Sequence, residues 1–135
     1  MTAMATNVSL QVSAIMLGVE DLDRAKKFYA DGLGCEIDQD HRGFVRYSLG
    51  DGSSKLALYE REAAARDAGV SAEGSGFRGV SFHFIADSRD AVDEVMRAAE
   101  AAGGTVVKAA AAVQWGYFGY FSDPDGYLWK VATAA

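Results

Sequence analysis

A lone lysine in the closing segment YLWKVA is the residue of this sequence that most needs a chemical reason. Lys130 lies between Trp129 and Val131, and an ammonium group within an apolar strand must pair with a carboxylate or reach solvent through an open cleft. A third use is chemical, because a lysine amine can bind an anionic or carbonyl-bearing group, or act as a general acid or base. The sequence leaves these readings open.

Two further side chains can take part in acid–base chemistry. His83 is central in the apolar segment GVSFHFIA, and Tyr59 lies in KLALYE. His83 can be a structural residue or a ligand contact. It can also bind a metal with help from Glu60 or Glu36, although one imidazole without two further donors binds weakly. Lys130, His83 and Tyr59 are therefore the candidate catalytic residues.

Aromatic residues gather near the end of the chain. Trp115 precedes the segment GYFGYFS, which carries Tyr117, Phe118 and Tyr120. Together with Tyr59, these rings can provide flat walls for a planar ligand. The register of this glycine-containing strand decides whether Tyr117 or Tyr120 faces the ligand, and the sequence does not settle that register.

These residues must be positioned by a fold whose first half reads strand, helix and three strands. The segment 12–19 is apolar and bounded by polar residues, and Asp21 then caps a helix with apolar residues at helical spacing. Glycines 32 and 34 end that helix, and turn residues separate three short strands over 35–40, 44–49 and 55–60.

The second half repeats that order of elements. A strand over 79–86 precedes a helix capped by Asp87 and Ser88, and strands follow over 105–109, 116–122 and 127–132. Ala, Gly and Ser dominate the intervening connector, which has one helical turn in AAARDA. We therefore predict an α+β fold in a single domain over 1–135, in which two βαβββ modules form a curved mixed sheet with helices outside and a cleft inside. Module one covers about 10–60, the connector about 61–77 and module two about 78–133.

Strand alternation predicts which side chains share the cleft face, because side chains two residues apart lie on the same side of a strand. Large residues such as Leu17, Phe82 and Trp129 take the core face, which turns their neighbours toward the cleft. The expected ligand contacts are Met16, Tyr59, Ser81, His83, Trp115, Tyr117, Tyr120 and Lys130.

Composition restricts the classes of partner. The 135 residues carry a net charge of −6 without a cluster of Lys or Arg, so nucleic acid is not an expected partner. The sequence has neither a membrane-spanning apolar run nor a signal peptide in MTAMATNVSL, and it predicts a cytoplasmic protein. The single cysteine, Cys35, fits a reducing compartment and is expected to pack rather than react.

The order of elements, with LGVEDLDRAKKFYADGLGCEI near the start and WGYFGYFSDPDGYLWKVA at the end, resembles the vicinal oxygen chelate superfamily of glyoxalase I, extradiol dioxygenases and bleomycin resistance proteins. The resemblance implies dimers whose modules create two clefts. It also implies a divalent metal at four positions, which in this sequence are Ala14, Ala57, Ser81 and Lys130.

None of these four residues is a usual metal ligand, and an ammonium group repels a cation. The resemblance to bleomycin resistance proteins therefore favours a metal-free homodimer that sequesters or senses a small organic molecule in an aromatic-lined cleft, with no cofactor. One alternative is a metal-independent isomerase or lyase, and another is a metal-dependent glyoxalase or dioxygenase. The ligand's charge stays open, because the acidic chain suits a cation whereas Lys130 suits an anion.

Overall fold

The computed structural model describes residues 12–74, 77, 78 and 80–135. The α+β class and the two βαβββ modules are confirmed. Each module forms one four-stranded mixed sheet, and between the described strands no backbone pairing joins one sheet to the other. No helix in the described part of the chain is long and apolar enough to cross a membrane.

Module one begins with an edge strand and a short helix. Its elements are β1 (Ala14–Val19), α1 (Leu22–Lys27), a π-helical turn over Phe28–Gly32, β2 (Glu36–His41), β3 (Phe44–Ser48) and β4 (Lys55–Glu60). The Asp21 carboxylate accepts the Arg24 N–H at 3.0 Å and caps α1, as the sequence predicts. The strand order is β1-β4-β3-β2, in which β1 and β4 are parallel.

Module two repeats this arrangement with a longer helix and with longer second and third strands. Its elements are β5 (Ser81–Ile85), α3 (Arg89–Ala101), β6 (Thr105–Val113), β7 (Gly116–Ser122) and β8 (Leu128–Thr133). The N-cap of α3 is Ser88, whose hydroxyl accepts the Ala91 N–H at 3.1 Å. The strand order is β5-β8-β7-β6, again with one parallel pair, β5 and β8.

The connector and the loop before β7 contain more regular structure than the sequence predicts. Helix α2 covers Arg61–Ala68 directly after β4, and Gly69 ends it with φ at 76°. Strand β6 continues to Val113, so only Gln114 and Trp115 form the turn to β7. The expected start of β5 at residue 79 lies outside the described residues.

Both modules share one apolar core. Tyr29, on the π-helical turn, has its ring centroid 6.1 Å from that of Tyr47 on β3 and 6.2 Å from that of Trp129 on β8. The ring centroid of its neighbour Phe28 lies 6.3 Å from that of Phe121 on β7. The helix-facing sides of the two sheets therefore meet across α1 and its π-helical extension, and the opposite sides of both sheets point outward.

A buried hydrogen-bond network connects this core to the DPDG turn. The Tyr29 hydroxyl donates to Asp123 Oδ2 at 2.7 Å and accepts the Trp129 indole N–H at 3.1 Å. The other carboxylate oxygen of Asp123 accepts the backbone N–H groups of Asp125 and Tyr127. Asp123 is thus a structural residue of the turn.

Candidate functional site

The outward side of the β5–β8 sheet places four of the chemically interesting side chains in one row. Backbone pairing puts Lys108 opposite Tyr120, Tyr120 opposite Lys130, and Lys130 opposite His83. Neighbouring strands lie about 4.8 Å apart, so this row of polar side chains crosses the whole sheet. We refer to the side of the sheet that carries Lys130 as the lysine face.

Lys130 lies among aromatic rings. Its amine is 4.7 Å from the ring centroid of Phe118, 5.0 Å from that of Trp115 and 6.0 Å from that of Tyr120. These distances place the ammonium within reach of cation–π attraction. Of the ion pairs between described residues, none includes Lys130. The rings therefore hold the amine in place while leaving its charge without a carboxylate partner.

The serine and the histidine of β5 interact with each other. Ser81 Oγ and His83 Nε2 share a hydrogen bond of 3.1 Å, whose donor depends on the tautomer of the imidazole. His83 is exposed at the edge of the sheet and pairs with Lys130 across the parallel ladder. Both β5 residues therefore lie on the lysine face beside Lys130.

The structure separates the two tyrosines of β7. Tyr120 lies on the lysine face, whereas Tyr117 points toward α3 and donates its hydroxyl hydrogen to Asp93 at 2.6 Å. The guanidinium of Arg89 lies 5.2 Å from the Tyr117 ring centroid. The hydrogen bond to Asp93 is the main reason why the pKa of the Tyr117 phenol is raised, and partial desolvation adds to the rise. Of the two tyrosines, Tyr120 is thus the one that lies close to Lys130.

The outward side of the β1–β4 sheet carries the remaining predicted contacts. Met16 is exposed, and Tyr59 packs edge-on against Phe44 with 6.0 Å between ring centroids. Nearby, the carboxylate of Asp38 accepts hydrogen bonds from Arg46 at 2.9 Å and Lys55 at 2.6 Å. These two cations hold the pKa of Asp38 below its usual value. This side of the sheet therefore has paired charges.

Sequence reasoning did not find Lys108, Arg46 and Asp38. Arg46 and Asp38 lie in the same sheet as two of the predicted ligand contacts. Strand alternation could therefore have placed the Arg46 side chain on the outward side of β3. Lys108 is harder to place, because the pairing of β6 with β7 shifts register on both sides of it. Its amine nevertheless lies 4.7 Å from the Phe118 ring centroid, on the lysine face.

Comparison with known proteins fits this geometry. Residues 11–131 match the model of the Glyoxalase/Bleomycin resistance protein/Dioxygenase superfamily. The chain belongs to this superfamily. It is 29% identical to a lactoylglutathione lyase of Haemophilus influenzae, an alignment that covers 87% of this chain and 88% of that protein.

Solved structures of the superfamily share the fold. A glyoxalase-related enzyme from Fulvimarina pelagi is 28% identical, has a TM-score of 0.81 and aligns over 91% of this chain and 87% of its own. A lactoylglutathione lyase from Agrobacterium tumefaciens is 26% identical, has a TM-score of 0.69 and aligns over 93% and 95% of the two chains. The superfamily is functionally broad, so these matches establish the fold and leave the activity to the site.

The residues at the four metal positions that the resemblance assigns are not the usual donors for a divalent metal. Ala14 and Ala57 lie on the outward side of the β1–β4 sheet, and Ser81 and Lys130 lie on the lysine face. Neither alanine has a donor atom, and the Lys130 ammonium brings positive charge to the place of a ligand. Among the residues that the structure describes, no group of three or more His, Cys, Asp or Glu side chains is close enough to bind a metal.

A wide groove of about 770 Å³ lies elsewhere, on the helix side of the β5–β8 sheet. Its walls include Cys35, Phe84 and Val95, and His83 is the one predicted ligand contact among the residues that line it. Burial raises the pKa of the Cys35 thiol, so the thiol stays protonated and packs against the core. The groove and the lysine face therefore lie on opposite sides of the sheet and share His83 on the edge strand β5.

Proposed function

We propose that this superfamily member binds a small organic molecule on the lysine face without a metal, and that it sequesters or senses this ligand. The observation that carries the proposal is the Lys130 amine, which lies at a metal-ligand position and is surrounded by Trp115, Phe118 and Tyr120. Aromatic walls with a few polar groups are typical of small-molecule sites. Ser81 and His83 add hydrogen-bonding groups beside the amine.

A homodimer completes the cleft in this proposal. The outward sides of the two sheets point away from the shared core, so each is open within one chain. A second copy can place its β1–β4 sheet over the lysine face, which brings Met16 and Tyr59 of one protomer toward Lys130 of its partner. The exposed edge strands support this arrangement, because Met16 is 45% and Ile85 68% exposed, and apolar edge residues favour association.

Dimer formation has a direct test. Ile85→Arg places a charge on the exposed edge of β5, so we expect light scattering to report a dimer for the unmodified protein and a monomer for this variant. Arg42→Ala, a substitution at an exposed turn residue of module one, serves as the control that keeps the dimer. A monomeric unmodified protein at micromolar concentration would contradict the proposal.

A second candidate function is a metal-independent isomerase or lyase. The adjacency of His83 and Lys130 across the parallel ladder favours it, because two proton-transfer groups on one face can act on a carbonyl compound. Tyr59, the third candidate catalytic residue, would come from the partner protomer. If the protein converts a ligand into a product, and Lys130→Met abolishes this turnover without changing the affinity for the ligand, the protein is an enzyme rather than a binding protein.

The absence of a metal requirement is tested first. The protein is purified without chelator, its metal content is measured, and it is titrated with nickel, zinc, iron and manganese. We expect no stoichiometric metal and no lactoylglutathione lyase activity in any titration. Tight binding of one metal per protomer together with this activity would instead make the chain a metal-dependent glyoxalase.

Ligand binding is then screened by thermal shift. A molecule that binds only the folded protein stabilises it by about 2.7 kcal/mol at a hundredfold excess over its dissociation constant. Hits on the lysine face should lose this stabilisation in Trp115→Ala. Hits that keep it bind elsewhere, for example in the groove beside Cys35, and would contradict the proposed site.

A further inference from the structure

Two lysines of the lysine face converge on one aromatic ring. Lys108 on β6 and Lys130 on β8 flank Tyr120 in the same row. The amine of each lysine lies 4.7 Å from the centroid of the Phe118 ring. Two ammonium groups on one side of a sheet repel each other unless an anion lies between or beside them.

The anion does not come from the strands that carry these lysines. Strands β5, β6, β7 and β8 contain no Asp or Glu, and their only cationic side chains are Lys108 and Lys130. The described ion pairs include neither lysine. Aromatic rings attract a cation through their quadrupole but carry no net charge, so the positive charge of the lysine face is not neutralised.

The other sheet provides an internal comparison. On its outward side Arg46 and Lys55 also lie close together, and there Asp38 bonds both of them. The chain therefore pairs two neighbouring cations with a carboxylate in one module and leaves two unpaired in the other. This difference leaves the lysine face without a carboxylate from its own strands, so a bound ligand can supply one.

Trp115 adds a requirement for a planar group. It stacks on Phe118 with 5.4 Å between centroids and 15° between ring planes, and it is 51% exposed. Because half of the Trp115 side chain is exposed, part of its indole is available for stacking with a flat ligand. An indole and two unpaired ammonium groups together match a planar ring that carries a carboxylate.

We propose that the lysine face binds an aromatic carboxylate, whose carboxylate interacts with Lys130 and Lys108 while its ring stacks on Trp115. This inference rests on the proposed function and names the chemical class of its ligand. Lys130 makes the stronger contact, because three rings hold its amine, whereas Lys108 is exposed on β6. Salt should weaken binding, since it screens attraction between charges that solvent reaches.

The test uses three probes that share one ring system and differ in charge. Isothermal titration calorimetry of the protein compares 2-naphthoate, neutral 2-naphthylmethanol and cationic 2-naphthylmethylamine. We expect 2-naphthoate to bind at least about tenfold more tightly than the neutral probe, as for one charge-assisted hydrogen bond. The cationic probe should bind most weakly.

Substitutions then assign the charge preference to residues. Lys130→Met should weaken 2-naphthoate about tenfold and Lys108→Met about threefold, with little effect on 2-naphthylmethanol. Trp115→Ala should weaken both probes. Lys27→Met is the matched control, because Lys27 is an exposed lysine of α1 in module one, and it should change neither affinity. Circular dichroism confirms that each variant is folded.

The outcomes separate this inference from the proposed function. Equal affinity for all three probes, with loss of all three in Trp115→Ala, would overturn the anionic class and keep a small-molecule site on the lysine face. Preference for the cationic probe would overturn the inference as well. If no probe binds, the aromatic carboxylate is refuted, and the thermal-shift screen alone decides the proposed function.

Discussion

Removing the hydroxyl of Tyr29 tests how the buried network holds the two modules together. Tyr29→Phe deletes the donor to Asp123 and the acceptor for the Trp129 indole N–H, while the ring and its packing remain. A hydrogen bond to a charged group contributes about 1.5–3 kcal/mol and a neutral one about 1 kcal/mol. Because Asp123 is only 2% exposed, water cannot replace the lost donor. We expect the free energy of unfolding to fall by about 3 kcal/mol.

The loss should depend on pH in a defined direction. Burial is the main reason why the pKa of Asp123 is raised in the folded protein, and the bond from Tyr29 acts against that rise. A raised pKa means that protonated Asp123 stabilises the fold below its unfolded pKa, and that this contribution is lost as pH rises through the folded pKa. Tyr29→Phe raises the folded pKa further, so its cost should be smallest near pH 4, close to the unfolded pKa of a carboxyl group, and should grow as pH rises toward neutral.

Urea unfolding of the variant and the unmodified protein across this pH range gives the measurement. Tyr47→Phe is the matched control, because Tyr47 is equally buried and donates at 3.0 Å to the backbone carbonyl of Lys26. That acceptor does not titrate, so the control should cost about 1 kcal/mol at every pH. If the two variants lose the same free energy with the same flat pH profile, a charged Asp123 is not the partner of Tyr29.

Three further predictions concern the turn, a glycine and an ion pair. Asp125→Ala should cost about 1–3 kcal/mol in urea unfolding, because its carboxylate accepts the Glu20 N–H and binds Arg24; a loss below 0.5 kcal/mol would show that solvent replaces these bonds. Gly104→Ala should lower the melting temperature, since the new Cβ would lie 2.7 Å from the Ser122 carbonyl oxygen, and an unchanged melting temperature would mean that the backbone relaxes. Lys55→Met should raise the pKa of Asp38, measured by carbonyl NMR, because it removes a bond that favours the ionised form. Because the folded pKa of Asp38 is lowered, its ionised carboxylate stabilises the native protein above the unfolded pKa, and this stabilisation is lost as pH falls through the folded pKa. An unchanged pKa in Lys55→Met would mean that Arg46 alone lowers the pKa of Asp38.

The sequence predicts the modules because local signals agree along each of them. Helix caps at Asp21 and Ser88, helical spacing and strand alternation all lead to the same order of elements, and the structure follows it. Helix α2 was predicted too short, since alanines between charged residues show no apolar periodicity. None of the residues of α2 is buried, so helix propensity rather than core packing explains why this helix forms.

The site was harder to predict, because bulges break the alternation on which face assignments rest. Strict alternation places Lys108 on the same side as Val106, which packs against the core, but the register shifts of β6 turn Lys108 outward. Glycines within β7 likewise prevent a choice between Tyr117 and Tyr120 from sequence alone. How the modules pack depends on contacts of Tyr29 with residues about a hundred positions away in the sequence. Patterns within a short stretch of sequence do not predict such contacts.

The distribution of charge explains why an acidic chain can favour an anionic ligand. All nineteen acidic residues lie outside the four strands of module two, on helices, turns and the strands of module one. Charges on remote surfaces are screened within about 8–10 Å at physiological salt, so the net charge of −6 acts on diffusing molecules more than on a ligand that touches Lys130. Contact distances therefore decide the preference, and there the unpaired amines of Lys108 and Lys130 dominate. The net charge would instead decide it if lowering the salt concentration weakened 2-naphthoate binding, which is the opposite of what attraction to these two lysines requires.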